Sequence, residues 1–226
     1  MATRGSVKQG LPDEVAAYVR EQILSGEFRP GMFLRLEPIA EAVGVSNTPV
    51  REGLLTLRSE GFVELVPRRG FMVASFSPED VRDIFWAQSK IAGELAARAA
   101  KQISPEQIAK LEELTAEFKR AVKARDKDRI ADLGSEFHAV INRAAGSRRL
   151  ALILQTVVSQ LPSSFYATID GQVAATHSEH PQIVEAMKKR SVRTARALME
   201  AHILGSADHL IETLNGRGLW DTEQSA

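Results

Sequence analysis

Cysteine is absent from this 226-residue chain; disulfides and thiolate metal sites are therefore excluded, although no compartment is chosen. A surplus of either charge is absent too. The 29 lysines and arginines match 29 aspartates and glutamates, a balance that argues against indiscriminate binding to nucleic acid. No apolar run approaches the roughly 20 residues of a membrane-spanning helix, so no membrane partner is expected. Met1 to Gly10 lacks the apolar core of a secretion signal, from which a cytoplasmic protein is expected. Internal repeats and low-complexity tracts are also missing. What is left, 44% apolar and 26% charged residues, is ordinary for a globular chain and sufficient for one large domain or two small ones.

The most informative stretch runs from Arg35 to Val73. A short helix is predicted to stop at Gly44, the usual helix-ending residue. A second opens almost at once, with Ser46, Asn47 and Thr48 as candidate caps and Pro49 tolerated in its first turn. Val50, Leu54 and Leu57 recur at i, i+4 and i+7 and mark its buried face, whereas Arg51 and Arg58 share another face. Two apolar runs then flank Pro67-Arg68-Arg69-Gly70, which reads as a hairpin with a basic tip. An earlier helix over 12–25 presents Val15, Val19 and Ile23 on one side and ends at Gly26. Helix, tight turn, helix and basic hairpin make the winged helix-turn-helix plan, whose second helix enters the DNA major groove. Singly, each arginine reads as a solvated surface charge. Grouped at these places, with Arg4 and Lys8 in the N-terminal arm, they point to phosphate.

Ser75-Phe76-Ser77-Pro78 reads as a joint that divides a domain over 1–76 from an all-helical one over 77–226. Beyond it only helical periods are visible, and helices are expected over 78–102, 105–125, 128–145, 148–161, 179–189 and 192–214. The fold class is thus mainly α: a winged helix-turn-helix of three helices and a β-hairpin wing, then an all-α helical bundle. The stretch 163–177 reads as a loop or as an extension of either neighbour. The tail after Gly216 is either a loose end or a segment docked through Leu219 and Trp220.

Three histidines fall on apolar stripes. His138 follows Phe137 on the helix carrying Ile130, Leu133 and Ile141. His180 is in phase with Ile183, Val184 and Met187, and His202 with Ala195, Leu198 and Met199. Three helices that each turn an imidazole inward can build a facial metal site inside a bundle. The other reading of each is a hydrogen-bonded core histidine, and spacing alone leaves both open.

The segment Val45-Ser46-x-Thr48-Pro49-Val50-Arg51-Glu52, with the Leu24-Ser25-Gly26-Glu27-Phe28-Arg29-Pro30-Gly31 turn before it, closely resembles the DNA-binding domain of GntR-family transcription regulators over residues 12–75. Phe137-His138, Glu179-His180-x-x-Ile183-x-x-Ala186 and Met199-x-x-His202-Ile203 resemble the FCD effector domain of the FadR subgroup over residues 78–215. The resemblance implies that Ser46, Asn47, Thr48 and Arg51 touch base edges and that Arg35 meets phosphate or base. It also implies a divalent metal (zinc, nickel or manganese) on His138, His180 and His202, with a small carboxylate sensed at or beside it.

Three positions depart from the family pattern. Asn47 stands where arginine is usual; arginine pairs bidentately with guanine and asparagine with adenine, so an altered operator is expected. Gly134 stands where an aspartate ligand belongs, one helical turn before His138 and on the same face. Gln88 stands near where the family often has an arginine able to meet the carboxylate, which makes a less cationic effector site the expectation. His177, one turn before His180, is a substitute ligand or a surface residue.

The leading expectation is a ligand-responsive regulator, a repressor acting as a homodimer on a pseudo-palindromic double-stranded operator. One alternative is a DNA-binding protein with a vestigial effector pocket, in which Gln88 and Gly134 mark the loss. The other is a metal-dependent helical enzyme, which leaves Arg51, Arg68 and Arg69 without a role.

Overall fold

A computed structural model describes residues 10–160, 170–216 and Trp220. The chain separates into two compact units, one of Met1–Ser77 with Leu214–Ala226 and one of Pro78–Thr213. Arg4, Lys8, Leu219 and the stretch 163–169 lie outside the described residues.

The first unit is the winged helix-turn-helix. Helix α1 (Leu11–Leu24) buries Val15, Val19 and Ile23. Strand β1 (Phe33–Leu34) leads into α2 (Leu36–Val43), which ends at Gly44 with φ 77°, the left-handed conformation that glycine adopts without strain. Helix α3 (Asn47–Ser59) buries Val50, Gly53, Leu54 and Leu57 against α1 and α2. Its packing on α1 is close: a Cβ added at Gly53 would stand 2.7 Å from the Pro12 carbonyl oxygen. Strands β2 (Val63–Val66) and β3 (Gly70–Val73) form the antiparallel wing hairpin. The short β1 pairs with the other edge of β3, Phe33 opposite Met72 and Leu34 opposite Phe71, giving the sheet order β1-β3-β2. Sequence reading missed β1 because two residues are too few to show an alternation.

Arg20, almost fully buried, meets Glu60 at 2.5 Å and lies over the Phe62 ring, tying α1 to the end of α3. The Trp220 indole donates to the Phe76 carbonyl, so the tail is docked at that residue rather than loose.

The second unit is a helical bundle of α4 (Pro78–Gln102), α5 (Pro105–Ala124), α6 (Lys127–Ala144), α7 (Arg148–Val158), α8 (Asp170–Lys188) and α9 (Val192–Gly216). Helix α5 packs on α6 and α8, and α4 on α6, α7 and α8. The core holds Phe85, Leu95, Ile103, Leu111, Leu114, Leu133, Phe137 and Met187, all nearly inaccessible. Ser104 and Gln107 close a reciprocal capping box at the start of α5, and the Asp126 carboxylate accepts from the Arg129 amide at the start of α6. At the α8–α9 turn Arg190 donates to the carbonyls of Lys101 and Ile103. Helix α8 begins at Asp170, before the expected 179, so residues 170–177 of the stretch 163–177 extend the helix that follows them; Pro181 lies inside the helix. Proline has no N–H to give, so the His177 carbonyl loses its helical donor one residue past His180.

Candidate functional site

Helix α6 buries Leu133, Phe137 and Ile141, which turns the neighbouring His138 into the bundle. On α8 the stripe Ile183, Val184 and Met187 carries His180 with it, and on α9 Ala195, Met199 and Ile203 carry His202. The three ligand nitrogens lie within 4.8 Å of one another. His138 Nε2 and His202 Nε2 are 3.3 Å apart, against about 3.4 Å for two imidazole nitrogens on one tetrahedral zinc. The His180 ring stacks on Phe137 with centroids 3.7 Å apart.

The state of each ring follows from its surroundings. Burial, reinforced by His202, pushes His138 down to about 3. Burial, then His138 and His202, also hold His180 well below the ordinary imidazole range. Both are therefore neutral at pH 7, the form that offers a lone pair to a metal. His202 Nδ1 lies 2.7 Å from Glu179 Oε2. A carboxylate accepts, so Nδ1 carries a hydrogen and Nε2 is the nitrogen that faces His138. Two nitrogens at that distance need a hydrogen or a cation between them. The His180 Nε2 is buried with no hydrogen-bond partner among the described residues, an unsatisfied donor or acceptor that normally costs about 1–3 kcal/mol. The donor set thus fits a divalent metal held by His138, His180 and His202.

The cluster opens on a cavity of about 790 Å³ within the bundle, and both Gln88 and Gly134 line it. Nothing lies within 4 Å of a Cβ built at Gly134, so the place of the missing aspartate is open space. His177 is exposed and outside the cluster. The cavity is more cationic than Gln88 suggests, because Arg143 and Arg148 line it as well. Gln172 and Thr176 of α8 also line it, bonded to each other at 3.2 Å and buried. Sequence reading missed these four. The arginines stand at the helix ends flanking Gly146-Ser147, where no periodicity points inward, and polar Gln172 and Thr176 break the apolar pattern that marks a helix face.

In the winged unit, Arg35, Ser46, Asn47, Thr48, Arg51, Arg58, Arg68 and Arg69 are all exposed. Ser46 is the backbone N-cap of α3, yet its side chain makes no capping hydrogen bond. None of the five arginines has an ion pair among the described residues, in contrast to Arg20. Arg68 holds φ 63° in the hairpin turn, and Arg69 lies over the Phe33 ring at 4.3 Å, which fastens the wing tip to β1, two residues from Arg35.

The model of the gntR family of bacterial regulatory proteins matches residues 11–73, and that of the FCD domain matches residues 83–205. The HTH-type transcriptional regulator YdhC of Bacillus subtilis (strain 168) is 25% identical over 199 residues, 87% of this chain and 89% of that protein. The HTH-type transcriptional repressor RspR of Escherichia coli (strain K12) is 22% identical over 218 residues, 96% of each chain. Among solved structures, E. coli McbR/YncC shares the fold with a TM-score of 0.65 at 22% identity, over 93% of this chain and 99% of that one. The family and these relatives are regulators rather than enzymes, which sets the enzyme alternative aside. A winged helix-turn-helix joined to an FCD bundle places this chain in the GntR family of bacterial transcription regulators.

Proposed function

We propose that the protein is a repressor that binds an operator as a homodimer and releases it when a small carboxylate enters the FCD cavity beside a metal held by His138, His180 and His202. The observation that carries this reading is the convergence of three imidazoles, two of them neutral by burial, around the unpartnered His180 Nε2. The metal supplies a positive centre for an anionic effector; Glu179 orients His202, and Phe137 holds the His180 ring by stacking. Arg51 and the opening of α3 read bases, with Arg35, Arg58, Arg68 and Arg69 on the sugar-phosphate backbone. Effector binding shifts the population between arrangements of the two DNA-binding units only as far as it binds one arrangement better. Repression is supported by the name of RspR.

The departures at Gly134 and Gln88 favour a second reading, a DNA-binding protein with a vestigial pocket. One experiment separates the two. A duplex selected from a randomised pool is titrated with zinc-loaded protein, and fluorescence anisotropy is followed as lactate or succinate is added. Release that disappears in His180→Ala supports the sensor; binding indifferent to every acid supports the vestigial pocket.

A further inference from the structure

The charge around the FCD cavity is one-sided. Arg143 and Arg148 line it, and not one aspartate or glutamate does among the described residues. Neither arginine has an ion pair among the described residues, whereas Arg98, Arg129 and Arg196 on the same bundle are paired. Both flank the α6–α7 turn, and Gly146 and Ser147 of that turn also line the cavity. Helix α7 opens there with no side-chain cap and no acid in its first turn, so its free N–H groups add positive potential at the same place. Two buried polar atoms in the same cavity, His180 Nε2 and Gln172 Oε1, also have no partner among the described residues.

A metal on three neutral histidines keeps its full charge, because Gly134 supplies no carboxylate. One acidic group on the effector answers the metal and leaves the two arginines unanswered. Arg143 follows His138 by five residues on α6, a backbone rise of about 7.5 Å along the helix axis, and both side chains line the same cavity. Such a site suits a ligand with an acid at each end, since an arginine fork binds carboxylate or phosphate through paired hydrogen bonds.

We infer that the effector carries two separated acidic groups, one directed to the histidine cluster and the other to Arg143, Arg148 and the start of α7. This rests on the metal-and-carboxylate reading above and adds the second charge. The class is an organic dianion, either a dicarboxylate or a phosphorylated acid.

The test is calorimetric titration of the full-length, zinc-loaded protein with propionate, succinate, glutarate, adipate and phosphoglycolate. At least one dianion is expected to bind about tenfold tighter than propionate, and its class tells carboxylate from phosphate. The double variant Arg143→Gln/Arg148→Gln is expected to lose that advantage and keep propionate binding. Arg149→Gln, which removes a charge exposed like those of Arg143 and Arg148 but outside the cavity lining, is expected to keep it. Equal affinity for propionate and every dianion, or a preference that survives in the double variant, overturns the inference. Where propionate binding is also lost in His180→Ala, the metal-and-carboxylate reading stands without it. A dianion preference that needs the arginines but ignores His180→Ala removes the metal reading and overturns the placement of the first acid at the histidine cluster. Silence from all five acids overturns both.

Discussion

Glu179 Oε2 stands 2.7 Å from His202 Nδ1, on the side of the ring away from His138. Glu179 is therefore placed not to supply the carboxylate that Gly134 lacks but to hold the Nδ1 hydrogen of His202, and in the proposed metal site it would make Nε2 a better donor. Glu179→Gln keeps the shape and removes the charge. It should weaken zinc binding by about 10–100-fold with little change in fold, as read by competition with a chromophoric chelator. Unchanged affinity would contradict the role.

Gly134 offers the converse experiment. Its Cβ position is open for 4 Å, and it lies one turn before His138 on the cavity side of α6. Gly134→Asp should therefore fold and bind zinc more tightly than the unchanged protein. Gly134→Ala should leave zinc affinity alone and stabilise α6 by about 0.5–1 kcal/mol, the helix cost of glycine. An aspartate variant that folds but gains no affinity would show that this position does not face the ion.

How much of this was legible beforehand varied with the signal each residue carries. Gly44 and Ser46 bracket the turn between α2 and α3 as expected: Gly44 through its left-handed backbone, and Ser46 as the backbone N-cap without the side-chain hydrogen bond of a capping serine. The inward phase of His138, His180 and His202 was legible because each rides on an apolar stripe whose period survives folding. The start of α8 was not. Gly171, Gln172 and Thr176 give no apolar period that would carry the helix expected from 179 back to Asp170. Arg143 and Arg148 were missed for a different reason: the turn at Gly146 aims them, and no pattern on either helix does.

Gly53 tests the frame of the DNA-binding unit. With the Pro12 carbonyl 2.7 Å from the added Cβ and the Val15 side chain at 2.9 Å, Gly53→Ala forces α1 and α3 apart. It should cost about 1–3 kcal/mol, the usual price of overpacking, and weaken DNA binding by moving α3. Urea unfolding followed by circular dichroism reads the first effect. An unshifted midpoint would mean that α1 yields without penalty.

Asn47 tests base reading. It is exposed at the first residue of α3, and an asparagine there pairs most readily with adenine. Asn47→Arg should shift the preferred base from adenine to guanine at one position in each half-site, by about 1–3 kcal/mol of discrimination. Selection from a randomised duplex pool with both proteins reads the change. An identical selected site would show that residue 47 contacts no base.

Elemental analysis of the untagged protein, purified without chelator, beside the same assay on His180→Ala, tests the three-histidine site most directly. The account predicts about one equivalent of zinc, nickel or manganese per chain, lost in the variant, with Gly134 in place. No metal in either protein would make His138, His180 and His202 ordinary pocket residues and contradict it.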